Sequence, residues 1–391
     1  MKTYCKGLDI CNRDLITQSI WECIKGKLHR RDTLELLSSF TKYTPKKFSK
    51  MIKETSGKII NPIIELLTTQ IISEISSREL KLKPIWYKSK KDGSSGKIRE
   101  IGIQDVKQQI YDYIAVNAMK PLLKRIGEYQ CSSIKGRGQS YGIRAIKRWL
   151  KDKRIRHIGK ADIRKCYESI DKKKLMEFLS YKIKNEPLLW LIETLINTFK
   201  KGLSIGSYLS QFLCNLFLSQ LYHYISENLF RIRKHRDGSY TRVKLVYHTL
   251  FYMDDIIILG TNLKDIKIAM KKIIEYIKKL KLFVKKDWRI FSLDNDDKVF
   301  IDMMGVRFYR SHCIIRRRVF RRIRRTFSLL DILRRTHQII PMKLIRRAIA
   351  YYGKLLVTNS FILIKRYNIQ SNICFCKGVI SYESKISNAT A

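Results

Sequence analysis

The chain has 391 residues, of which 80 are lysine or arginine and 34 are aspartate or glutamate, so its formal net charge is +46. Hydrophobic residues make up 45%, which excludes wholesale disorder and allows a sizeable buried core. Because such an excess of positive charge repels itself in a compact chain, we expect a polyanion to neutralise it, and a nucleic-acid backbone is the obvious candidate.

The sequence pattern also excludes several classes of protein. The start, MKTYCKGLDICNRDL, lacks the apolar core and small-residue cleavage site of a secretory signal. No run of about 18 apolar residues predicts a membrane span. The nine cysteines are scattered without a CxxC pair, and the seven histidines lack metal-ligand spacing. We therefore expect buried thiols, no zinc site, no membrane association and a cytoplasmic location.

In chain order, the first predicted elements are helices followed by a hairpin. Residues 1–82 have the apolar spacing of helices. PIWYKSKKDGSSGKIREIGI (84–103) is typical of two short strands joined by a polar turn. Helical spacing returns at 105–123, and IRHIGKADI (155–163) is typical of a strand.

The remaining predicted elements are again mixed. They are helices at 171–183, 187–199, 207–225 and 262–280, a hairpin at 244–260, short strands through 310, and basic helices from 316 to 366. The last twenty or so residues show little pattern. Helices segregated from hairpin strands predict an α+β fold rather than a doubly wound sheet.

The stretch LVYHTLFYMDDIIIL places Asp254 and Asp255 side by side between two apolar, strand-like runs. A tight hairpin would hold both carboxylates at its tip, facing a groove. Two like charges at this spacing are unfavourable alone, but a divalent cation such as Mg²⁺ reverses that. Aspartate is also a common turn residue, so the four residues YMDD alone leave a metal site and an ordinary turn equally open.

A third carboxylate favours the metal site. The strand IGKADI ends on Asp162, and a neighbouring strand would bring it beside Asp254 and Asp255. Three carboxylates on adjacent strands are what two-metal phosphoryl transfer requires. Tyr167, five residues after Asp162, lies where a ring would pass under a sugar and exclude a 2′-hydroxyl; the alternative is a core aromatic on a helix face.

These motifs resemble those of the reverse transcriptase family. ADIRKCYESID resembles the family's first palm motif, with Asp162 and Tyr167, and FYMDD resembles its YxDD motif, with Asp254 and Asp255. The resemblance implies RNA-directed DNA polymerase activity with two Mg²⁺ ions held by the three aspartates. It also implies that Tyr167 discriminates against ribonucleotides, and that RNA template, RNA–cDNA duplex and dNTPs are partners.

Other segments resemble the family in the same order along the chain. GKIREIGIQD resembles the fingers hairpin, in which Lys97 and Arg99 would contact the triphosphate. SSIKGRGQSYGIRAI resembles the next fingers segment, and IDMMGVRFYR the primer-grip strands. LKLFVKKDWRIF resembles the segment that holds a lysine near the leaving pyrophosphate, here Lys285 or Lys286.

The implied fold is a right hand of fingers, palm and thumb. We expect an N-terminal helical extension at 1–82, fingers and palm at 83–310, a basic helical thumb at 311–370, and a tail at 371–391. An arginine cluster opens the thumb, and forked guanidinium donors suit phosphate. The alternative is a solvated basic face. The arginines expected to bind template and primer are Arg316, Arg317, Arg318, Arg321 and Arg322.

One departure from the family pattern points to a subgroup. Where most bacterial reverse transcriptases carry QGxxxSP, this chain has Ile205, Gly206, Ser210 and Gln211 in an IGxxxSQ pattern. That pattern resembles the enzymes of diversity-generating retroelements in bacteria and phages, which belong to the group II intron-like superfamily. The resemblance implies copying of a template-repeat RNA with errors at adenines (mutagenic retrohoming) and a small basic accessory variability protein as partner. The segment would lie near the template base; the alternative is an ordinary helix N-terminus.

Two other functions remain open on the sequence. A group II intron-like or phage-defence reverse transcriptase keeps the chemistry but changes the biology, and the IGxxxSQ pattern disfavours it. A non-catalytic RNA-binding protein on the same fold needs the positive charge but not the three carboxylates. Both stay as alternatives to the diversity-generating enzyme.

Overall fold

The computed structural model describes residues 2–91, 96–293 and 298–389. In these ranges the helices are α1 (Arg13–Ile24), α2 (Arg31–Ser38), α3 (Pro45–Glu54), α4 (Ile60–Ser76), α5 (Val106–Ala118), α6 (Gln139–Leu150), α7 (Cys166–Ser169), α8 (Lys172–Lys182), α9 (Glu186–Asn197), α10 (Tyr208–His223), α11 (Leu263–Lys279), α12 (Arg317–Arg335), α13 (Met342–Leu355), α14 (Phe361–Arg366) and α15 (Ile369–Ala389). The strands are β1 (Trp86–Lys91), β2 (Ile98–Ile103), β3 (Gln130–Cys131), β4 (His157–Asp162), β5 (Phe230–Lys234), β6 (Tyr240–Lys244), β7 (His248–Tyr252), β8 (Asp255–Gly260), β9 (Arg289–Ser292), β10 (Ile301–Met303), β11 (Val306–Phe308) and β12 (Cys313–Ile315). The predicted α+β class is confirmed.

The N-terminal helices α1 to α4 confirm the helical spacing predicted for 1–82. Ile16, Ile20 and Ile24 form the buried face of α1, because their spacing of four residues places them on one side of a helix. They belong to a single apolar core that continues through α5 and α10 to the buried face of α11. The N-terminal helices therefore support the same body that carries the central sheet. The division of the chain into four domains stays a prediction.

A five-stranded sheet lies at the centre, with the strand order β3-β7-β8-β4-β9. β7 and β8 form the predicted hairpin, β4 pairs antiparallel with β8, and β3 joins β7 in parallel. The inner strands β4 and β8 are apolar and covered, with Ile158, Ile256 and Ile258 almost fully buried. Burial on both faces explains why β8 is a continuous apolar run rather than an alternating one.

Two hairpins project from this body. β1 and β2 pair antiparallel from Trp86 with Ile103 to Lys91 with Ile98, as the sequence predicted; the turn residues 92–95 lie outside the described residues. A second hairpin, β5–β6, was not predicted. Its strands are mostly charged and exposed, and the short alternation of Phe230 and Ile232 with arginines on β5 was not recognised as a strand signal.

The C-terminal part combines a small sheet with basic helices. β10, β11 and β12 form a three-stranded antiparallel sheet, and α12, α13 and α15 enclose their own apolar core around Phe327 and Ile345. The expectation of an unpatterned C-terminus is wrong, because α15 runs from Ile369 to Ala389. Its residues Ile373 and Cys376 are buried against the helices before it. Within the described ranges, no helix is long and apolar enough to cross a membrane.

Candidate active site

The β7–β8 hairpin turns through two residues and carries two aspartates. Tyr252 pairs with Asp255, so Met253 and Asp254 alone make the connection. Met253 has a positive φ of 56°, the left-handed conformation that tight two-residue hairpins require. The turn therefore holds Asp254 at the tip of the hairpin and Asp255 at the start of β8, as the sequence predicted.

The third aspartate lies directly across from this hairpin. In the antiparallel β4–β8 ladder, Asp162 is the register partner of Asp255. The backbone N–H of Ile163 donates to the carbonyl oxygen of Asp254 at 3.0 Å, which fixes the turn to the end of β4. The structure thus brings together the three carboxylates, although Asp162 and Asp254 are 92 positions apart in the chain.

These carboxylates make each other harder to ionise. Burial raises the pKa of Asp255 to about 6; the charges of Asp162 and Asp254 add to this increase, and the Lys160 ammonium opposes it. Burial and the charge of Asp162 also raise the pKa of Asp254. A cluster of this kind gains free energy when a cation enters it.

Lys285 is one of the protein cations in contact with the cluster. Its ammonium touches Asp162 Oδ1, and its backbone N–H donates to the carbonyl oxygen of Asp162 at 2.8 Å. Burial alone would lower the pKa of Lys285, but the contact with Asp162 and the nearby charges of Asp254 and Asp255 raise it. Of the two candidate lysines, Lys285 therefore lies at the carboxylates, and Lys286 is exposed.

The donor set fits a divalent cation of the oxygen-preferring kind. Among the described residues, no group of three or more His, Cys, Asp or Glu side chains is placed to hold a metal ion by itself, and this includes the three aspartates. Mg²⁺ is usually held by one or two carboxylates together with water and substrate phosphates, rather than by an all-protein cage. Burial and neighbouring carboxylates raise the pKa of both Asp254 and Asp255, and a cation at this place would favour their charged forms. We conclude that they suit a metal brought in with a phosphate ligand.

Tyr167 lies beside the hairpin turn, on the short helix α7. Its hydroxyl is 3.9 Å from Met253 Sδ, and its backbone carbonyl accepts from the N–H of Leu203 at 2.8 Å. Burial raises its pKa, and the ring packs partly against the main apolar core. Tyr167 is therefore both a half-buried core aromatic and a neighbour of the carboxylates.

The β1–β2 hairpin carries basic side chains beside this site. Lys97 and Arg99 are exposed at the start of β2, and the Arg99 guanidinium is close enough to lower the pKa of Asp254. Gly96, with a φ of 79°, lies against the guanidinium of Arg318. The first turn of α12 therefore meets the β1–β2 hairpin.

The IGxxxSQ segment is fastened to the fingers at one end. The carbonyl oxygen of half-buried Ile205 accepts from the N–H of Gly102 in β2 at 2.9 Å. Gly206 is exposed and has a φ of 114°, and a Cβ there would stand 2.6 Å from the carbonyl oxygen of Gly102. Glycine is required at position 206 for both reasons.

The other end of the segment forms the start of α10. Ser207 caps the helix by accepting from the N–H of Ser210 at 3.0 Å. Ser210 is fully buried, and its hydroxyl accepts from the N–H of Ser204 at 3.1 Å. Gln211 is half-buried, and its carbonyl oxygen accepts from the Asn215 amide at 3.2 Å. Ser210 therefore shapes the loop from inside, while Ile205 and Gly206 lie at its surface.

A buried carboxylate that the sequence reasoning missed holds this segment in place. The Ser207 hydroxyl donates to Asp112 Oδ2 at 2.7 Å, the N–H of Leu209 approaches the same oxygen at 3.4 Å, and the Gln104 amide donates to Oδ1 at 3.3 Å. Burial raises the pKa of Asp112 to about 6. The one signal in the sequence was a charged residue among the apolar residues of the predicted helix at 105–123.

A second missed residue, Lys160, connects the carboxylates to the C-terminal sheet. Its ammonium is 3.9 Å from Asp255 Oδ1 and donates to the carbonyl oxygen of Asp302 at 2.5 Å. The Asp302 carboxylate in turn pairs with Arg316, whose Nε is 2.8 Å from Oδ1. Arg316 immediately precedes α12 and is thus occupied by an ion pair at the base of the thumb.

The other predicted thumb arginines lie on the outer face of α12. Arg317, Arg318 and Arg321 are exposed and Arg322 is half-buried, whereas the opposite face of the helix is apolar and buried. This amphipathic pattern places a dense row of guanidinium groups along one surface. Such a row suits the phosphates of a nucleic acid.

Comparisons with known proteins give a family match and two similar solved structures. The family model for reverse transcriptase (RNA-dependent DNA polymerase) matches residues 88–300. No curated protein sequence matches the chain. Among solved structures, apo telomerase from Candida tropicalis, truncated from its C-terminal domain, is 14% identical with a TM-score of 0.42, and the match covers 59% of this chain and 54% of that one.

A second structure is telomerase from Candida tropicalis in complex with the TWJ fragment of telomeric RNA. It is 12% identical with a TM-score of 0.43, and the match covers 77% of this chain and 59% of that one. The chain thus spans less than two thirds of both structures. The family model, by contrast, matches more than half of the 391 residues and includes all three aspartates. The chain therefore belongs to the reverse transcriptase (RNA-dependent DNA polymerase) family.

Proposed function

We propose that the protein synthesises cDNA on an RNA template by nucleotidyl transfer at Asp162, Asp254 and Asp255. The observation that carries this proposal is the pairing of Asp162 with Asp255 across the β4–β8 ladder, beside the tight turn that holds Asp254. The experiment is extension of a DNA primer on an RNA template with Mg²⁺ and dNTPs. Full-length cDNA supports the proposal, and absence of product with folded protein and a range of primers contradicts it.

Each neighbouring group has a role in this scheme. When bound, two Mg²⁺ ions would activate the primer 3′-hydroxyl and stabilise the leaving pyrophosphate. Lys97 and Arg99 bind the triphosphate of the incoming dNTP, and Lys285, kept protonated by the carboxylates around it, protonates the pyrophosphate. The arginine face of α12 holds the RNA–cDNA duplex. We assign residues 83–310 to fingers and palm and 311–370 to the thumb.

Substitution of Tyr167 tests whether this side chain selects deoxyribonucleotides over ribonucleotides. We expect Tyr167→Ala to raise the incorporation of ribonucleotides relative to deoxyribonucleotides by about 10-fold or more, because the ring no longer excludes the 2′-hydroxyl. The measurement is kcat/KM for dCTP and rCTP on the same primer and template. Tyr167→Phe is the matched control and should keep discrimination, since it preserves the ring. An unchanged ratio in Tyr167→Ala would reject this role.

Substitution of Lys160 tests whether its contacts with Asp255 and Asp302 matter for cDNA synthesis. We expect Lys160→Met to lower kcat for primer extension by about 10- to 100-fold with little change in KM, because the ammonium that counters Asp255 and anchors Asp302 is lost. Lys264→Met, which removes an exposed lysine of α11, is the control. A kcat within twofold of the wild type would mean that Lys160 has no such role.

Within the family, we propose a diversity-generating enzyme that copies a template-repeat RNA with errors at adenines, in partnership with a small basic accessory protein. The support is the IGxxxSQ pattern, in which an apolar side chain replaces glutamine at position 205 on the loop tied to the fingers. The nine cysteines, all free thiols, support the cytoplasm of a bacterial or phage-infected cell as its location.

Ile205 tests the subgroup. We expect Ile205→Gln to reduce misincorporation opposite template adenines by about 5-fold or more, because an amide is restored beside the template base. The measurement is the error spectrum of cDNA made on one RNA template by both proteins, sequenced deeply. If the wild type copies adenines as accurately as the other bases, the polymerase proposal stands and the diversity-generating proposal fails.

A further inference from the structure

A cleft separate from the carboxylate site opens at the base of the thumb. It has a volume of about 370 Å³ and lies between β11, β12, the first turn of α12 and the segment 359–367. Its principal lining side chains are Arg307, Arg317, Phe320, Ile362, Arg366 and Tyr367. The volume falls in the range of pockets that bind small organic ligands, roughly 300–1,000 Å³.

The charge of the cleft has one sign. Three arginines line it, and none of the described residues that line it is acidic. Nε of Arg307 is buried and has no hydrogen-bond partner among the described residues, although the guanidinium lies over the ring of Phe300 at 4.5 Å. A buried donor without an acceptor costs free energy. Because this atom is buried, a ligand in the cleft would instead meet the exposed guanidinium groups of Arg317 and Arg366, which suit an anion.

Apart from the polar residues Asn359 and Ser360, the rest of the lining is apolar and aromatic. Phe320 and Tyr367 contribute rings, and the Arg366 guanidinium is 6.0 Å from the centre of the Tyr367 ring. Ile362 is 79% exposed at the rim, and its neighbour Phe361 is 77% exposed. Arginine interleaved with aromatic and apolar surface is the chemistry that binds unpaired nucleotides, because the base stacks or packs while the phosphate is neutralised.

The shape of the cleft selects an unpaired nucleotide over a duplex. Bases in a duplex are stacked and cannot enter a concave site, whereas an unpaired base can. Arg317 belongs both to the cleft and to the arginine face of α12. A nucleic-acid strand whose phosphates lie along that face would therefore reach the cleft. This continuity, and the net charge of +46, favour a nucleic acid over an acidic peptide.

We propose that this cleft binds one unpaired nucleotide of an RNA strand, with the base against the aromatic lining and its phosphate on the arginines. The choice of RNA rests on the proposed function. The cleft would hold template that is not paired with cDNA, and so fix the position of the single-stranded region relative to the thumb. It requires no chemistry of its own.

The test is equilibrium binding by fluorescence anisotropy, without dNTPs. The probes are a blunt RNA–DNA duplex, the same duplex with a single-stranded RNA overhang, and the overhang duplex with abasic spacers in place of the overhang bases. The double variant Ile362→Ala/Arg366→Ala alters two exposed side chains, so folding should be retained. The control Arg233→Ala removes one exposed charge from the distant β5–β6 hairpin.

The wild type should bind the overhang duplex at least 10-fold more tightly than the blunt or abasic probe. The double variant should lose most of that preference and bind the blunt duplex within twofold of wild type, as should Arg233→Ala. Equal weakening on all three probes would reduce the cleft to a general phosphate surface and overturn the proposal. So would tight binding of the abasic probe, or displacement of the overhang by polyglutamate as readily as by RNA. Extension of a recessed DNA primer on an RNA template, measured separately for the wild type, tests the proposed function alone.

Discussion

Asp255→Asn should abolish cDNA synthesis and leave the metal-free protein at least as stable as the wild type. Loss of one carboxylate from the cluster removes about 4 kcal/mol or more of transition-state stabilisation, which is about a thousandfold in rate. The same change removes a charge that the folded protein disfavours, because burial raises the pKa of Asp255 to about 6. Activity and stability should therefore move in opposite directions.

The pH dependence gives the sign of the stability change. A carboxyl with a folded pKa near 6 and an ordinary pKa of 3.8 binds protons more tightly when folded, so its contribution to stability is lost as the pH rises from about 4 to 6. Asparagine at this position does not ionise, so the stability of the variant does not fall in this way as the pH rises. In EDTA, urea unfolding at pH 7.5 should show the variant more stable by about 3 kcal/mol, and most of this gain should be lost near pH 4. A variant that is less stable at pH 7.5 would contradict the account of the cluster.

Asp112→Ala should destabilise the protein by about 3 kcal/mol and weaken cDNA synthesis without touching the carboxylate cluster. The substitution leaves the Ser207 hydroxyl, the Leu209 N–H and the Gln104 amide without their buried acceptor, and unsatisfied buried donors are costly. The loop at 205–211 then loses the contact that fixes the start of α10. The measurement is the free energy of unfolding in urea, with primer extension on the same preparation.

The cost of Asp112→Ala should also depend on pH. Because the folded pKa of Asp112 is raised to about 6 from an ordinary 3.8, its favourable contribution declines as the pH rises between those values. The loss on substitution should be about 1 kcal/mol larger at pH 5 than at pH 7.5. Asp105→Ala, which removes the cap of the same helix, is the control and should cost about 1 kcal/mol. A loss at Asp112 no larger than at Asp105 would refute the anchoring role.

The sequence predicts those parts of the site that depend on residues close together in the chain. Apolar runs on both sides of MDD indicate a hairpin, and its two-residue turn fixes Asp254 and Asp255 without further information. Asp162 was expected beside them because the strand that ends on it could neighbour the hairpin, and the β4–β8 register supplies the physical reason. The choice between Lys285 and Lys286 could not be made from adjacent identical residues, because it depends on which side chain faces the end of β4.

The residues that were missed act across long sequence separations. Lys160 reaches Asp302, 142 positions away, and Asp112 reaches Ser207, 95 positions away. Local hydrophobic periodicity does not predict such contacts, because in the sequence each of these residues is an ordinary charged residue of a strand or helix. The missed β5–β6 hairpin differs, because an Asp-Gly turn signal was present between its charged strands.

The same distinction explains the C-terminal helix. Polar and small residues interrupt the apolar positions of α15, so periodicity is weak, and the helix is stabilised instead by burial of Ile373 and Cys376 against α12 and α13. Arg316 was expected to bind nucleic-acid phosphates because arginines follow it directly in the sequence. Its ion pair with Asp302 could not have been anticipated. Asp302 lies in β10, and the contact depends on how β11 and β12 fold back between the two residues.

The central claim is that the cluster of three aspartates carries nucleotidyl transfer, and one measurement tests it most directly. Single-turnover incorporation of one complementary dNTP into a DNA primer on an RNA template is followed at several Mg²⁺ concentrations for the wild type and Asp254→Asn. We expect Mg²⁺-dependent incorporation by the wild type, and a rate lower by about a thousandfold or more in a variant with an unchanged unfolding transition. Incorporation by Asp254→Asn at a rate within tenfold of the wild type would contradict the claim.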